Sequence, residues 1–271
     1  MALDQTETDS DEKNMSFFDH ISELRGHIIR SLIAIVLCGI LAFVYHEFII
    51  DTVLFGPRSQ NFITYRWMCS INKNACFEGF NFTIVNLDVT GQFIMHIKIA
   101  FVTGIIVAFP YIIYEFWKFF KPALKPSEQK QTTGIIFVSS ILFMSGVLFG
   151  YFLLAPVSLL FMATYSISDQ IANSWTIQSY MSFVTMFTVA TGVIFELPLV
   201  MYFLAKLGLT NSALLKKYRR YAILIIVIIA AVVSPGPDVG SQILVSIPLL
   251  ILYEVGVLIT KRVEKKAAKE S

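Results

Sequence analysis

Apolar residues in this chain come in long unbroken runs, which is neither the alternation of a half-buried strand nor the single stripe of a soluble helix. Six runs stand out, at roughly 28–45, 93–116, 134–154, 181–205, 221–233 and 243–260. Runs approaching 20 residues predict transmembrane helices, so the expected fold is all-α, a polytopic membrane protein with six spans inside residues 15–262. Polar connections at 46–92, 117–133, 155–180, 206–220 and 234–242 separate the spans, with a disordered tail expected at 1–14 and a second tail at 263–271. No internal repeat relates the two halves, which weighs against an inverted-repeat transporter. The fifth run is short. Tyr221 to Val233 makes about 20 Å of helix against a hydrocarbon core of about 30 Å. Either a buried helix with snorkelling ends or a locally thinned bilayer accommodates it.

Composition narrows the class. The chain is 56% hydrophobic and only 15% charged, with a net charge of +2, too apolar for a soluble domain and without the basic excess of a nucleic-acid binder. Aromatic residues make up 14%, which excludes a disordered chain. The placement of the charges is more informative than their sum. Of the 21 Lys and Arg, 16 fall in the two terminal segments and the connections 117–133 and 206–220, and Arg30 lies at the start of the first run on the same side, leaving only Arg58, Arg66, Lys73 and Lys98 on the other side. The positive-inside rule then predicts that both termini are cytoplasmic and that 46–92, 155–180 and 234–242 face outward. The first residues carry Asp4, Glu7, Asp9, Asp11 and Glu12 against one Lys13, unlike a basic signal-peptide start. Cys69 and Cys76 share the first outward loop, where a disulfide is chemically open to them, while Cys38 lies in an apolar run.

Catalytic chemistry finds no foothold. The four histidines, His20, His27, His46 and His96, form no H-E-x-x-H pair, and there is no G-x-S-x-G, Walker or dinucleotide motif. Neither an enzyme nor a cofactor is expected. Carboxylates at particular depths stand out instead. Glu196 sits within the fourth run, where a charge must face a cavity or be protonated; alternatively a neutral Glu196 bonds a backbone group freed by Pro198. With Thr185, Thr188 and Thr191 nearby, Glu196 also leaves open an ion-coupled secondary transporter. Glu115 and Glu254 lie near span ends, where an i,i+3 pair of Glu115 with Lys118 is a sufficient account. Ser16-Phe17-Phe18-Asp19 reads as a capping box opening a helix. On that helix Glu23 has His27 in reach at i+4, and Glu128 lies in a polar loop.

Several stretches together resemble a known family: His20-Ile21-Ser22-Glu23-Leu24-Arg25, Phe109-Pro110 through Tyr114-Glu115-Phe116-Trp117, and Phe119 with Pro122-Ala123-Leu124 and Glu128. Phe195-Glu196-Leu197-Pro198, Ser234-Pro235-Gly236-Pro237-Asp238 with Ser241-Gln242, and Pro248 with Tyr253-Glu254 complete the set. In this order on six spans, from about Phe17 to Arg262, they resemble the TatC family, the receptor subunit of the twin-arginine protein translocase. The resemblance implies six helices cupped into a concave wall in a bacterial inner membrane. It also implies binding of twin-arginine signal peptides of folded precursors, and export driven by the proton-motive force. Glu23 and Glu128, with Arg25 and Phe119 beside them, then correspond to the signal-peptide site. Glu196 corresponds to the polar residue that meets single-span TatA-like or TatB-like partners in an oligomeric complex, and Pro57, Asp238 and Gln242 to functional positions of the external loops. The sequence departs from the family pattern at Gly26-His27, where a second basic residue is common.

Overall fold

The computed structural model describes residues 17–71, 82–120, 132–166, 168, 174–233 and 239–270. The expected tail at 1–14, Glu128, Cys76 and Asp238 lie outside the described residues. Helix α1 (Phe17–Val44) leads through a π-helical turn (Phe48–Leu54) and a 3-10 turn (Gly56–Arg58) to a short α2 (Ile63–Ile71). Strand β1 (Thr83–Val85) precedes α3 (Gly91–Phe120). Helix α4 (Thr132–Phe149) continues through a π-helical turn (Gly150–Leu154) into α5 (Ala155–Thr164). Strand β2 (Ser174–Thr176) then leads to α6 (Ile177–Phe195) and α7 (Leu197–Lys206). After them come α8 (Ser212–Lys217), α9 (Arg219–Val233) and α10 (Val239–Glu270).

Among the described residues, five segments are long and apolar enough to cross a membrane: Ile21–Val44, Gly91–Phe120, Gly134–Thr164, Ile177–Lys206 and Gln242–Lys266. The sixth expected crossing, α9, has 15 residues, about 22 Å of helix. The architecture is therefore the all-helical, membrane-spanning bundle that the sequence predicts, with one short member. A two-stranded parallel sheet of β1 and β2, Thr83 opposite Ser174, joins the segments that lead into α3 and α6. Parallel pairing needs a long crossover, and local patterning of three-residue strands carries no trace of it.

Helix α1 packs almost entirely on α3 and buries less of itself than any other span. Its large side chains, among them Leu32, Leu37 and Leu41, point away from the protein. The face toward α3 holds small or polar residues at helical three- and four-residue steps, including His27, Ser31, Gly39 and Ala42. This division suits a lipid-exposed helix, where tails solvate leucine and small residues permit close approach. Close approach is literal at Gly104 of α3, where a Cβ would lie 2.7 Å from Ile35 O and 2.9 Å from Gly39 N. On α3 the complementary buried stripe runs through Met95, Ile99, Gly104, Ala108, Glu115 and Phe119.

One end of the bundle gathers the start of α1, the end of α3, the junction of α7 with α8, and the end of α10. Phe120 stacks edge-on against Phe203 at 4.6 Å, and Glu264 of α10 accepts hydrogen bonds from the backbone N–H and hydroxyl of Ser212. Toward the opposite end lies the densest core, where Leu154, Leu159, Tyr180, Met181 and Val184 are fully buried. Here tyrosines satisfy the carbonyls that a terminating helix leaves without partners: Tyr151 Oη donates to Val53 O (2.6 Å) and Tyr180 Oη to Leu54 O (2.8 Å).

Candidate functional site

The start of α1 and the last turns of α3 build a polar centre in otherwise apolar surroundings. His27 and Glu115 are 5% and 2% exposed. His27 Nδ1 lies 2.5 Å from Glu115 Oε2, and because an ionised carboxylate only accepts, the imidazole must carry its proton on Nδ1. Arg30 Nη1 donates to the same oxygen at 3.1 Å. Both donors come from α1 and the acceptor from α3, so the centre fixes the two helices in rotation and in height. Phe119 covers His27 edge-on, with ring centroids 6.0 Å apart. Ser31 Oγ is tied to His27 O (2.9 Å).

This differs from the local pairings that the spacing suggests. Glu115 does not rely on Lys118 one turn along its own helix, and Glu23 does not hold His27. A buried carboxylate gains more from two charge-assisted donors than an exposed helical pair does, so Glu115 holds His27 in the interface and also takes a hydrogen bond from Arg30, whose side chain stays 49% exposed. Glu23, one turn before His27, is left half-buried, and its Oε2 is buried without a hydrogen-bond partner among the described residues. Arg25 is exposed, whereas Phe119 is buried. An apolar groove of about 440 Å3 runs between the helices, lined by Leu24, Ile28, Leu32, Phe116, Phe119 and Phe120 among others. The structure thus brings Glu23, Phe119 and the unforeseen trio of His27, Arg30 and Glu115 together. Position on the α3 stripe is the one signal that could have marked Glu115, since its partners lie 88 and 85 residues away.

Glu196 occupies a second centre. Pro198 follows two residues later and cannot donate to the preceding turn, so the span breaks between α6 and α7 with Glu196 at the joint. Its side chain is 8% exposed. Ser139 Oγ of α4 donates to Oε2 at 2.9 Å, while Oε1 is buried without a partner among the described residues. Glu196 therefore bonds a side chain of another helix through one oxygen. The threonines near Glu196 turn to backbone rather than to its carboxyl group. Thr185 donates to Met181 O (2.8 Å), Thr188 to Val184 O (2.8 Å), and Thr191 to Phe187 O and Gly146 O. Among the described residues no group of three or more His, Cys, Asp or Glu could hold a metal.

At the opposite end, Pro57 is fully buried in its 3-10 turn. Tyr65 Oη donates to both Pro57 O (2.9 Å) and Pro156 O (3.1 Å), and burial pushes the Tyr65 phenol up, so it remains a donor. Pro156 itself leaves the Phe152 carbonyl without its helical donor, and Thr64 Oγ1 supplies one. Gln242 Nε2 reaches Val227 O (3.3 Å), linking α10 to the short α9. Cys69 is in a disulfide and Cys38 is free. Glu254 pairs with Arg219 at 2.5 Å on the surface, a cross-helix contact from α10 to α9.

Comparison with known proteins agrees with this architecture over nearly its whole length. The family described as Sec-independent protein translocase protein (TatC) matches residues 19–248. The Sec-independent protein translocase protein TatC of Blattabacterium is 41% identical over 263 residues, covering 94% of this chain and 98% of the relative. Its counterpart in Carboxydothermus hydrogenoformans is 37% identical over 256 residues, covering 94% and 97%. A crystal structure of the twin-arginine translocase receptor TatC superposes with a TM-score of 0.70 at 32% identity, covering 90% of this chain and 99% of that one. The chain belongs to the TatC family, the receptor subunit of the twin-arginine protein translocase.

Proposed function

We propose that the polar centre at the start of α1 is the entry point for twin-arginine signal peptides of folded precursors. The observation that carries this reading is Glu23, whose Oε2 is buried without a hydrogen-bond partner among the described residues, next in sequence to Leu24 of the apolar groove. A carboxylate so placed loses hydration without compensation, and a guanidinium restores it through two parallel charge-assisted hydrogen bonds that an ammonium does not reproduce. Glu128 takes the second arginine. Phe119 forms the apolar floor beneath the pair and Arg25 lies at its exposed rim. The apolar part of the signal then continues into the concave face.

In this reading both termini are cytoplasmic, the protein lies in a bacterial inner membrane, and single-span TatA-like and TatB-like subunits gather around the occupied receptor. Glu196 meets a polar side chain of such a partner, since pairing two polar groups within lipid relieves a cost that each bears alone. The proton-motive force drives transport, and the chain itself performs no covalent chemistry. Pro57, Asp238 and Gln242 shape the external end of the assembly. The test is photo-crosslinking of a labelled twin-arginine signal peptide to membranes carrying the protein. Replacing the arginine pair by two lysines, or Glu23 or Glu128 by Gln, is expected to remove most of the adduct; unchanged crosslinking would overturn the assignment.

A further inference from the structure

Glu23, His27 and Arg30 are spaced along one side of α1, and an i,i+4 pairing of Glu23 with His27 is the local arrangement that an isolated helix would favour. The observed arrangement is different. Glu115, 2% exposed on the neighbouring helix, is hydrogen-bonded to His27 Nδ1 at 2.5 Å and accepts from Arg30 Nη1 at 3.1 Å. Glu23 Oε2 remains buried and unpartnered among the described residues. We propose that Glu115 is a positioning residue for signal recognition: by holding His27 and Arg30, it keeps the protein's own donors off Glu23 and so leaves that carboxylate open to an incoming arginine.

The competition is local and unequal. His27 lies one turn, about 6 Å of rise, beyond Glu23, whereas Arg30 lies about 10 Å along the axis. His27 is therefore the donor that matters. Its imidazole can serve one carboxylate through Nδ1, and the choice between Glu115 and Glu23 is set by which offers the stronger acceptor in the drier site. A buried acid that already accepts from Arg30 is the better fixed of the two. If Glu115 becomes an amide, its oxygen is a neutral acceptor with roughly half the hydrogen-bond strength, and the nearest ionised acceptor for His27 becomes Glu23. A ligand arginine must then displace an internal donor before it binds.

This inference rests on the assignment of Glu23 to the twin-arginine site, and the test separates the two. Full-length protein in lipid nanodiscs is titrated with a fluorescent twin-arginine signal peptide and with its twin-lysine counterpart. Wild-type protein, Glu23→Gln, Glu115→Gln, His27→Gln and the double variant Glu115→Gln/His27→Gln are compared. The expected result is a loss of about tenfold in affinity for Glu115→Gln against the wild type, with the double variant recovering to the level of His27→Gln. Recovery on removing a second contact of the same polar centre is not what a loosened helix pair would give. Equal losses in Glu115→Gln and the double variant would make Glu115 a structural clamp and overturn the proposal, as would wild-type affinity in Glu115→Gln. Tighter binding by His27→Gln alone would point to simple through-space repulsion and also overturn it. If Glu115→Gln does not accumulate, Glu115→Asp keeps the charge but withdraws the carboxylate, and the same order with a smaller loss is expected. If the wild type fails to distinguish arginine from lysine and Glu23→Gln binds normally, the recognition site itself is wrongly placed.

Discussion

Replacing Gly104 by Val would test whether the α1–α3 contact holds the candidate site. The added Cβ would start 2.7 Å from Ile35 O, 2.9 Å from Gly39 N and 3.0 Å from Gly39 Cα. All three are backbone atoms of one helix, so no rotamer change relieves the overlap and α1 must shift bodily. Overpacking of this kind costs about 1–3 kcal/mol. Opening the interface by roughly 0.5–1 Å also forfeits a quarter to a half of the dispersion energy at each contact along it. Because α1 has few neighbours besides α3, other helices offer little compensation, and the His27–Glu115 distance of 2.5 Å should lengthen with it. The assay is a disulfide-trapping series between cysteines placed along α1 and α3, combined with reversible unfolding in mixed detergent. Gly134→Val is the control, since a Cβ there meets nothing within 4 Å. The expected outcome is slower trapping and a loss of about 1–3 kcal/mol for Gly104→Val, with little change for Gly134→Val. Equal behaviour of the two variants would refute the claim that backbone proximity at Gly104 sets the helix pair.

Other expectations follow from single contacts. Tyr65→Phe removes the proton shared by the Pro57 and Pro156 carbonyls and should cost about 1–3 kcal/mol, seen as a lower unfolding midpoint and faster proteolysis of the chain between Gly56 and Ile71. Ser139→Ala takes away the side-chain donor that Glu196 meets on α4. It should destabilise the bundle by about 1–3 kcal/mol, and adding Glu196→Leu should recover part of that loss. By contrast, the Arg219–Glu254 pair has side chains 57% and 44% exposed. A double-mutant cycle on it should yield a coupling energy of no more than about 1 kcal/mol, falling with added salt.

Five of the six expected spans were legible because each is a long apolar run, and their order needed no tertiary information. Pro198 marks a missing N–H within one turn of Glu196, but the run 181–205 reads as one span, and the break between α6 and α7 shows only in the structure. What escaped were the partners. Glu115 looked like a mate for Lys118 and His27 like a mate for Glu23, since helical spacing exposes only neighbours three or four residues away. The real contacts, His27 with Glu115 and Ser139 with Glu196, span 88 and 57 residues and depend on which faces of the helices meet. The stripe of α3 through Gly104, Ala108 and Glu115 carried half of that information, and the small-residue face of α1 carried the other half. Neither is conspicuous by hydrophobicity, because in a lipid-facing helix the large apolar residues mark the outside. The helix runs also proved longer than the apolar runs at several ends, most clearly at α10, where the charged residues through Lys266 continue the helix.

The parallel pairing of β1 with β2 also sets an order of events during synthesis. Thr83 and Ser174 are separated by 91 residues, so β1 has no partner until two further spans have been made. At about 5–20 residues per second, that wait is on the order of 5–20 s. During it the segment leading into α3 has an unpaired edge, and the Phe82 ring lacks Trp175, which later stacks on it at 4.3 Å. The nascent chain thus carries a timed seam. The α1–α3 half can assemble as soon as Phe120 has emerged, while the end bearing the strands closes only when the fourth span begins to enter the membrane.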